Sequence, residues 1–199
     1  MKIDIQRKTK ETNVELSLNL WGKGKYKIDT TIAFLDHMLE LFAKHGDFDL
    51  NIKAHGDTEI DYHHLVEDIG ITLGLAIKKS IENKKGINRY GNFLMPMDEA
   101  LSYVVIDLSG RPYFSYNVKF NKISGGEFDY SLIKEFFRAI SYNSQMNLHI
   151  KLYKGENNHH IAESIFKGFA KALSQAVNIN KRKTFPSTKG KVRIKTKKV

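Results

Sequence analysis

Two five-residue segments, His63-His64-Leu65-Val66-Glu67 and His159-His160-Ile161-Ala162-Glu163, share one spacing, and each stands where a helical period begins. On a helix advancing about 100° per residue, the first His and the Glu four residues later project from nearly the same face. The second His points about a quarter-turn away. One copy therefore cannot easily bring all three side chains to one cation. Two copies related by a pseudo-twofold can build two sites, each taking the His/Glu pair of one copy and the remaining His of the other. A lone His-His pair at a helix start reads as a polar surface feature; repeated with the same glutamate, it reads as metal ligands. The chain has no cysteine, so any metal must be held by nitrogen and oxygen. Imidazole with carboxylate suits Mn, Fe, Co or Zn, and four protein ligands with room for water or substrate favour octahedral Mn.

Further ligands come from superposing the two copies. His37 lies 26 residues before His63 and Glu135 lies 24 before His159, both in matching helical segments. Site one is then expected to comprise His37, His64, His159 and Glu163, and site two His63, Glu67, Glu135 and His160. His149, on a predicted strand beside the second motif, is the rival for the role of Glu135. His45 could line the site, and His55 reads as structural or solvated.

The elements that must hold these residues also repeat. Residues 3–20 alternate apolar and polar side chains as strand, and Gly22 and Gly24 mark a turn. Residues 32–44 carry Phe34, Leu35, Met38, Leu41 and Phe42 at helical spacing, ended by Gly46. Residues 48–54 read as strand and 63–79 as helix. The second half repeats the order, with strands at 101–108 and 113–120, a Gly125-Gly126 turn, a helix at 132–142, a strand at 148–153 and a helix at 159–177. An internal duplication is the economical explanation. The expected division is a first half-repeat at 1–87, a second at 88–190 and a basic tail at 191–199. The fold class expected is α+β, each half packing helices on a small mixed four-stranded sheet.

Composition sets the outer limits. A chain of 199 residues with 41% hydrophobic content can bury a sizeable core. Its apolar runs are far short of the roughly 20 residues that span a bilayer, and the N-terminus carries charge where a secretory signal needs an apolar core. A cytoplasmic location with no membrane partner is expected. The formal net charge of +10 is concentrated at the end, at Lys181, Arg182, Lys183 and from Lys189 onward. Such a distribution favours a solvated tail and a small anionic ligand such as a phosphorylated metabolite over nucleic acid.

Six motifs in order, Phe34-Leu-Asp-His-Met38, Asp61-Tyr-His-His-Leu-Val-Glu-Asp68, Met97-Asp-Glu-Ala100, Asp107-Leu-Ser-Gly-Arg-Pro-Tyr113, His159-His-Ile-Ala-Glu163 and Ser187-Thr-Lys-Gly190, resemble imidazoleglycerol-phosphate dehydratases. The resemblance runs from about residue 3 to 190. It implies dehydration of imidazole glycerol phosphate to imidazole acetol phosphate in histidine biosynthesis, two Mn ions per active site, and a fold like the second domain of ribosomal protein S5. It also implies a homo-oligomer of 24 subunits built from trimers, with sites at subunit contacts. Carried onto this chain, it places Arg89, Arg111, Ser187, Thr188 and Lys189 around the substrate phosphate and Glu11 near the glycerol hydroxyls. Arginine offers phosphate a planar fork and lysine a flexible point charge. Several members of the family carry His where this chain has Glu135.

The expected mechanism holds the imidazole ring between two cations as an imidazolate, expels the adjacent hydroxyl to give a diazafulvene, and removes the neighbouring carbon's proton with a general base. Glu163, Glu67 and Glu11 are the candidates for that base, Glu163 first. A non-catalytic metal-storage shell would explain the His/Glu clusters but not Arg89, Arg111 and Lys189.

Overall fold

The computed structural model describes residues 1–82, 86–121 and 128–179. Its elements are β1 (Ile3–Lys8), β2 (Thr12–Asn19), β3 (Tyr26–Asp29), α1 (Ala33–Gly46), β4 (Asp49–Gly56) and α2 (His63–Ile81), followed by β5 (Tyr90–Met97), β6 (Ala100–Asp107), β7 (Tyr113–Asn117), α3 (Leu132–Ser144), β8 (Asn147–Lys154) and α4 (Asn158–Val177). The second six repeat the first six in kind and order. The fold is α+β.

Period-2 patterning builds both sheets. β2 buries Thr12, Val14, Leu16 and Leu18 and turns Glu15 outward; β4 buries Leu50, Ile52 and Ala54. The first sheet runs β1-β2-β4-β3 and the second β5-β6-β8-β7. In each, the last-placed strand is parallel to its neighbour and the other pairs are antiparallel. The parallel pair requires a crossover, which α1 supplies in one half and α3 in the other. Two of these strands were absent from the sequence expectation. β3 is four residues long and mostly exposed. β5 contains Gly91 and Pro96, which break the pattern; Gly91 is needed because a Cβ there would sit 1.9 Å from the Ala172 carbonyl oxygen of α4. The strand expected at 113–120 ends at Asn117. The Gly125-Gly126 turn and the basic tail lie outside the described residues.

The four helices lie between the two sheets, and they pack crosswise: α1 of the first half against α4 of the second, α2 against α3. Aromatic rings fill the interior: Phe42 of α1 stacks on Phe169 of α4 at 5.5 Å, and Phe166 of α4 stacks on Phe136 and tilts against Phe137 of α3 within the second half at 5.4 and 4.9 Å. One hydrophobic core runs through both halves.

The repeat has a register that can be counted. α1 ends on Asp47 (φ 57°) and α3 on Gln145 (φ 59°), both left-handed caps. These residues are 98 apart, as are the first residues of β4 and β8 and also His37 and Glu135. His37 and Glu135 therefore occupy the same place in the two halves.

Candidate metal and substrate site

Each His-His motif opens its helix under a polar cap. In α4 the Asn157 side chain accepts from the backbone N–H of His159 at 2.8 Å and of His160 at 3.4 Å; before α2, Asp61 accepts from the His63 N–H at 2.7 Å. The helical period then divides the pair. His159 Nε2 meets Glu163 Oε1 at 2.9 Å, whereas His160 turns away to Glu99.

The crosswise packing of α1 on α4 adds His37, whose Nε2 lies 3.3 Å from the same Glu163 oxygen, with the His37 and His159 rings stacked at 5.4 Å. Ligating atoms of His37, His159 and Glu163 lie within 4.8 Å of one another. Glu163 is 7% exposed. Burial pushes its carboxyl up, but Lys167 at 2.5 Å, His37 and His159 outweigh that and hold it at about 2.

The packing of α2 on α3 assembles the counterpart. His63 Nε2 lies 3.9 Å from Glu67, and the Arg138 guanidinium spans Glu67 at 3.7 Å and Glu135 at 2.6 Å. This cluster has one imidazole and two carboxylates where the first has two imidazoles and one carboxylate. The His37, His159 and Glu163 donor set is nitrogen and oxygen only and fits a divalent first-row cation. In the other set the Arg138 guanidinium stands between Glu67 and Glu135, and the second group whose ligating atoms lie within 4.8 Å of one another among the described residues is Glu11, Asp57 and His64.

His64 and His160 do not join these clusters within the chain. His64 Nδ1 lies 2.9 Å from Asp57 and 3.7 Å from Glu11; His160 Nδ1 lies 2.7 Å from Glu99. The hydrogen bonds to Asp57 and to Glu99 raise the two imidazoles above the ordinary His value. Glu99, bonded by the Asn157 N–H, by His160 and by the Glu156 N–H, is held at about 2. His149 stands exposed on β8 beside Tyr113, on the face of the sheet away from the helices, and so away from Glu67 and Glu135. His55 is exposed on β4. His45 closes α1, its imidazole pushed down by burial and by Lys167 and Lys171.

Arg89 and Arg111 sit at the far end of the second sheet from His159. Arg89, at φ 73°, makes a bidentate pair with Asp107 at 2.6 and 3.1 Å. Arg111 follows β6 in an exposed turn, its backbone oxygen bonded by Asn147. Asp107 and Asn147 pair at that end of the sheet, while β8 ends at Lys154, just before His159. Eight strand residues separate the two ends by about 23 Å. Ser187, Thr188 and Lys189 lie outside the described residues.

Sequence reasoning missed Asp57, Glu99, Arg138 and Lys167. Arg138 and Lys167 were legible, standing three and four residues after Glu135 and Glu163 on helices. Glu99 stands inside the Met97–Ala100 motif, but its contact with His160 was not legible because β5, which leads into its hairpin, has no clear strand pattern.

Residues 30–173 match the family model described as imidazoleglycerol-phosphate dehydratase. A protein of that name from Endomicrobium trichonymphae is 58% identical over 192 residues, 95% of this chain and 97% of the relative. One from Clostridium kluyveri is 50% identical over 190 residues, 95% and 98% of the two chains. The crystal structure of the Staphylococcus aureus dehydratase superposes with a TM-score of 0.82 at 42% identity, covering 90% of this chain and all of that one. That of IGPD from Pyrococcus furiosus gives 0.81 at 40%, covering 94% and 100%.

Proposed function

Because the chain belongs to the imidazoleglycerol-phosphate dehydratase family, we propose that it removes water from imidazole glycerol phosphate to give imidazole acetol phosphate, in histidine biosynthesis in the cytoplasm. The observation that carries the metal-dependent form of this reading is the His37/His159/Glu163 cluster at the α1–α4 contact, with His63, Glu67 and Glu135 linked through Arg138 at the α2–α3 contact. In this reading His37, His159 and Glu163 hold one Mn ion with His64, and His63, Glu67 and Glu135 hold the other with His160. Bound there, two divalent cations would supply positive charge to the azole nitrogens and so lower the cost of losing the ring proton and the adjacent hydroxyl.

The protein's own groups do the rest. Arg89 and Arg111, with Ser187, Thr188 and Lys189, bind and orient the phosphate. The general base is better assigned to Glu11 than to Glu163. A carboxylate held at about 2 with both oxygens engaged is a weak base at neutral pH, whereas Glu11 has 58% of its side chain exposed and its closest ion-pair partner at 3.7 Å.

The reading also calls for neighbouring copies. His64 and His160 point away from the clusters of their own chain, and Arg89 and Arg111 lie about 23 Å of strand from His159, a span no single small substrate bridges. Sites completed between subunits, in a 24-mer assembled from trimers, account for both facts. The test is a dehydration assay on exhaustively chelated protein, with and without added Mn, alongside light scattering for particle mass. Activity that vanishes on chelation and returns with Mn is expected. Full turnover after chelation overturns the metal role, and no turnover under any loading overturns the reaction.

A further inference from the structure

The duplication predicts equivalent residues for equivalent tasks, yet the groups that touch the second His of each motif are not equivalent. Glu11 and Glu99 are counterparts: each immediately precedes the second strand of its hairpin, 88 residues apart, as are the first residues of β2 and β6. Glu99 Oε2 bonds His160 Nδ1 at 2.7 Å, but Glu11 stands 3.7 Å from His64 Nδ1, and Asp57 takes that nitrogen at 2.9 Å. A bulge in the β6/β8 pairing shifts the register by one, so Gly155 matches Gly56 and the counterpart of Asp57 is Glu156, which meets Glu99 through its backbone N–H at 3.1 Å.

We infer, building on the metal reading above, that Asp57 and Glu99 are positioning residues that keep the proton of His64 and His160 on Nδ1, and that this arrangement releases Glu11 from its duplicated task for contact with substrate. An ionised carboxylate only accepts, so the ring nitrogen facing it carries the hydrogen and the neutral ring keeps its lone pair on Nε2. That is the second-shell arrangement that orients a ligating imidazole. His160 Nε2 lies 3.7 Å from the exposed Asp98. Glu99 is anchored by hydrogen bonds and Asp57 is held by burial. Glu99 Oε1 accepts the backbone N–H of Asn157 at 2.8 Å and of Glu156 at 3.1 Å, and the Asp57 side chain is only 15% exposed. Glu11 has neither the short contact nor the burial.

The test is Mn binding to the full-length chain, read from the electron paramagnetic resonance signal of the free ion. Glu99→Gln keeps an amide oxygen for the Asn157 and Glu156 N–H groups but offers Nδ1 a donor, which drives the imidazole proton to Nε2. Its Mn affinity is expected to fall 10- to 100-fold at one class of site, with the other class unchanged and the metal-free melting temperature close to wild type. Asp57→Asn is expected to do the same to the other class, and Glu11→Gln to lose turnover with Mn affinity intact. Wild-type Mn affinity in both Glu99→Gln and Asp57→Asn overturns the inference alone. Loss of Mn affinity in Glu11→Gln equal to that in Asp57→Asn overturns the released role of Glu11. A wild-type chain that binds no Mn sinks the metal reading, and this inference with it.

Discussion

Glu163→Gln in metal-free protein isolates the electrostatics of the first cluster. Glu163 is buried, with Lys167 at 2.5 Å and His159 and His37 at 2.9 and 3.3 Å. Its carboxyl titrates at about 2 in the folded chain against an ordinary 4.5, a gap that corresponds to roughly 3 kcal/mol favouring the ionised form in the native state. Because the folded value is the depressed one, this stability is present in full above pH 4.5 and is lost as pH falls toward 2. Glutamine keeps the shape and carries no titrating charge. The wild-type protein should therefore exceed Glu163→Gln in unfolding free energy by ~3 kcal/mol at pH 7 and by only ~1 kcal/mol at pH 3. The assay is urea unfolding of both proteins in chelator, at one protein concentration, every half pH unit from 7 to 3. A difference that stays constant over that range, or that is absent at pH 7, refutes the assignment of the depressed carboxyl to Glu163.

Two further expectations concern the frame that holds the clusters. Phe166→Ala removes the ring that stacks on Phe136 and tilts against Phe137 between α3 and α4 and should cost ~3–5 kcal/mol in chemical denaturation. Gly91→Ala pushes a methyl into the Ala172 carbonyl, 1.9 Å away; separating β5 from α4 should cost about 1–3 kcal/mol or more, seen as a lowered melting temperature.

The elements that carry the motifs were readable because their side chains report their surroundings. α1, β4, α2, α3, β8 and α4 each bury a regular stripe against the common core, so period 3.6 and period 2 stand out in the residues themselves. β3 and β5 escaped notice for the opposite reason. A short exposed edge strand has no apolar face to display, and β5 is shaped by how close α4 comes to Gly91, which is a property of another element.

Residue type and spacing alone established which side chains could take part: two imidazole pairs each with a glutamate one turn on, a donor set without sulfur, and two halves alike enough to align His37 with Glu135. Those follow from covalent order and the period of a helix, which are local. Folding decided which of these groups meet. That α1 crosses to α4 and α2 to α3 puts His37 beside His159 and links Glu135 to Glu67 through Arg138, while His64 and His160 turn to Asp57 and Glu99 within their own halves. Contacts between segments about 70 to 130 residues apart depend on how complementary apolar faces dock, and no local pattern encodes the partner.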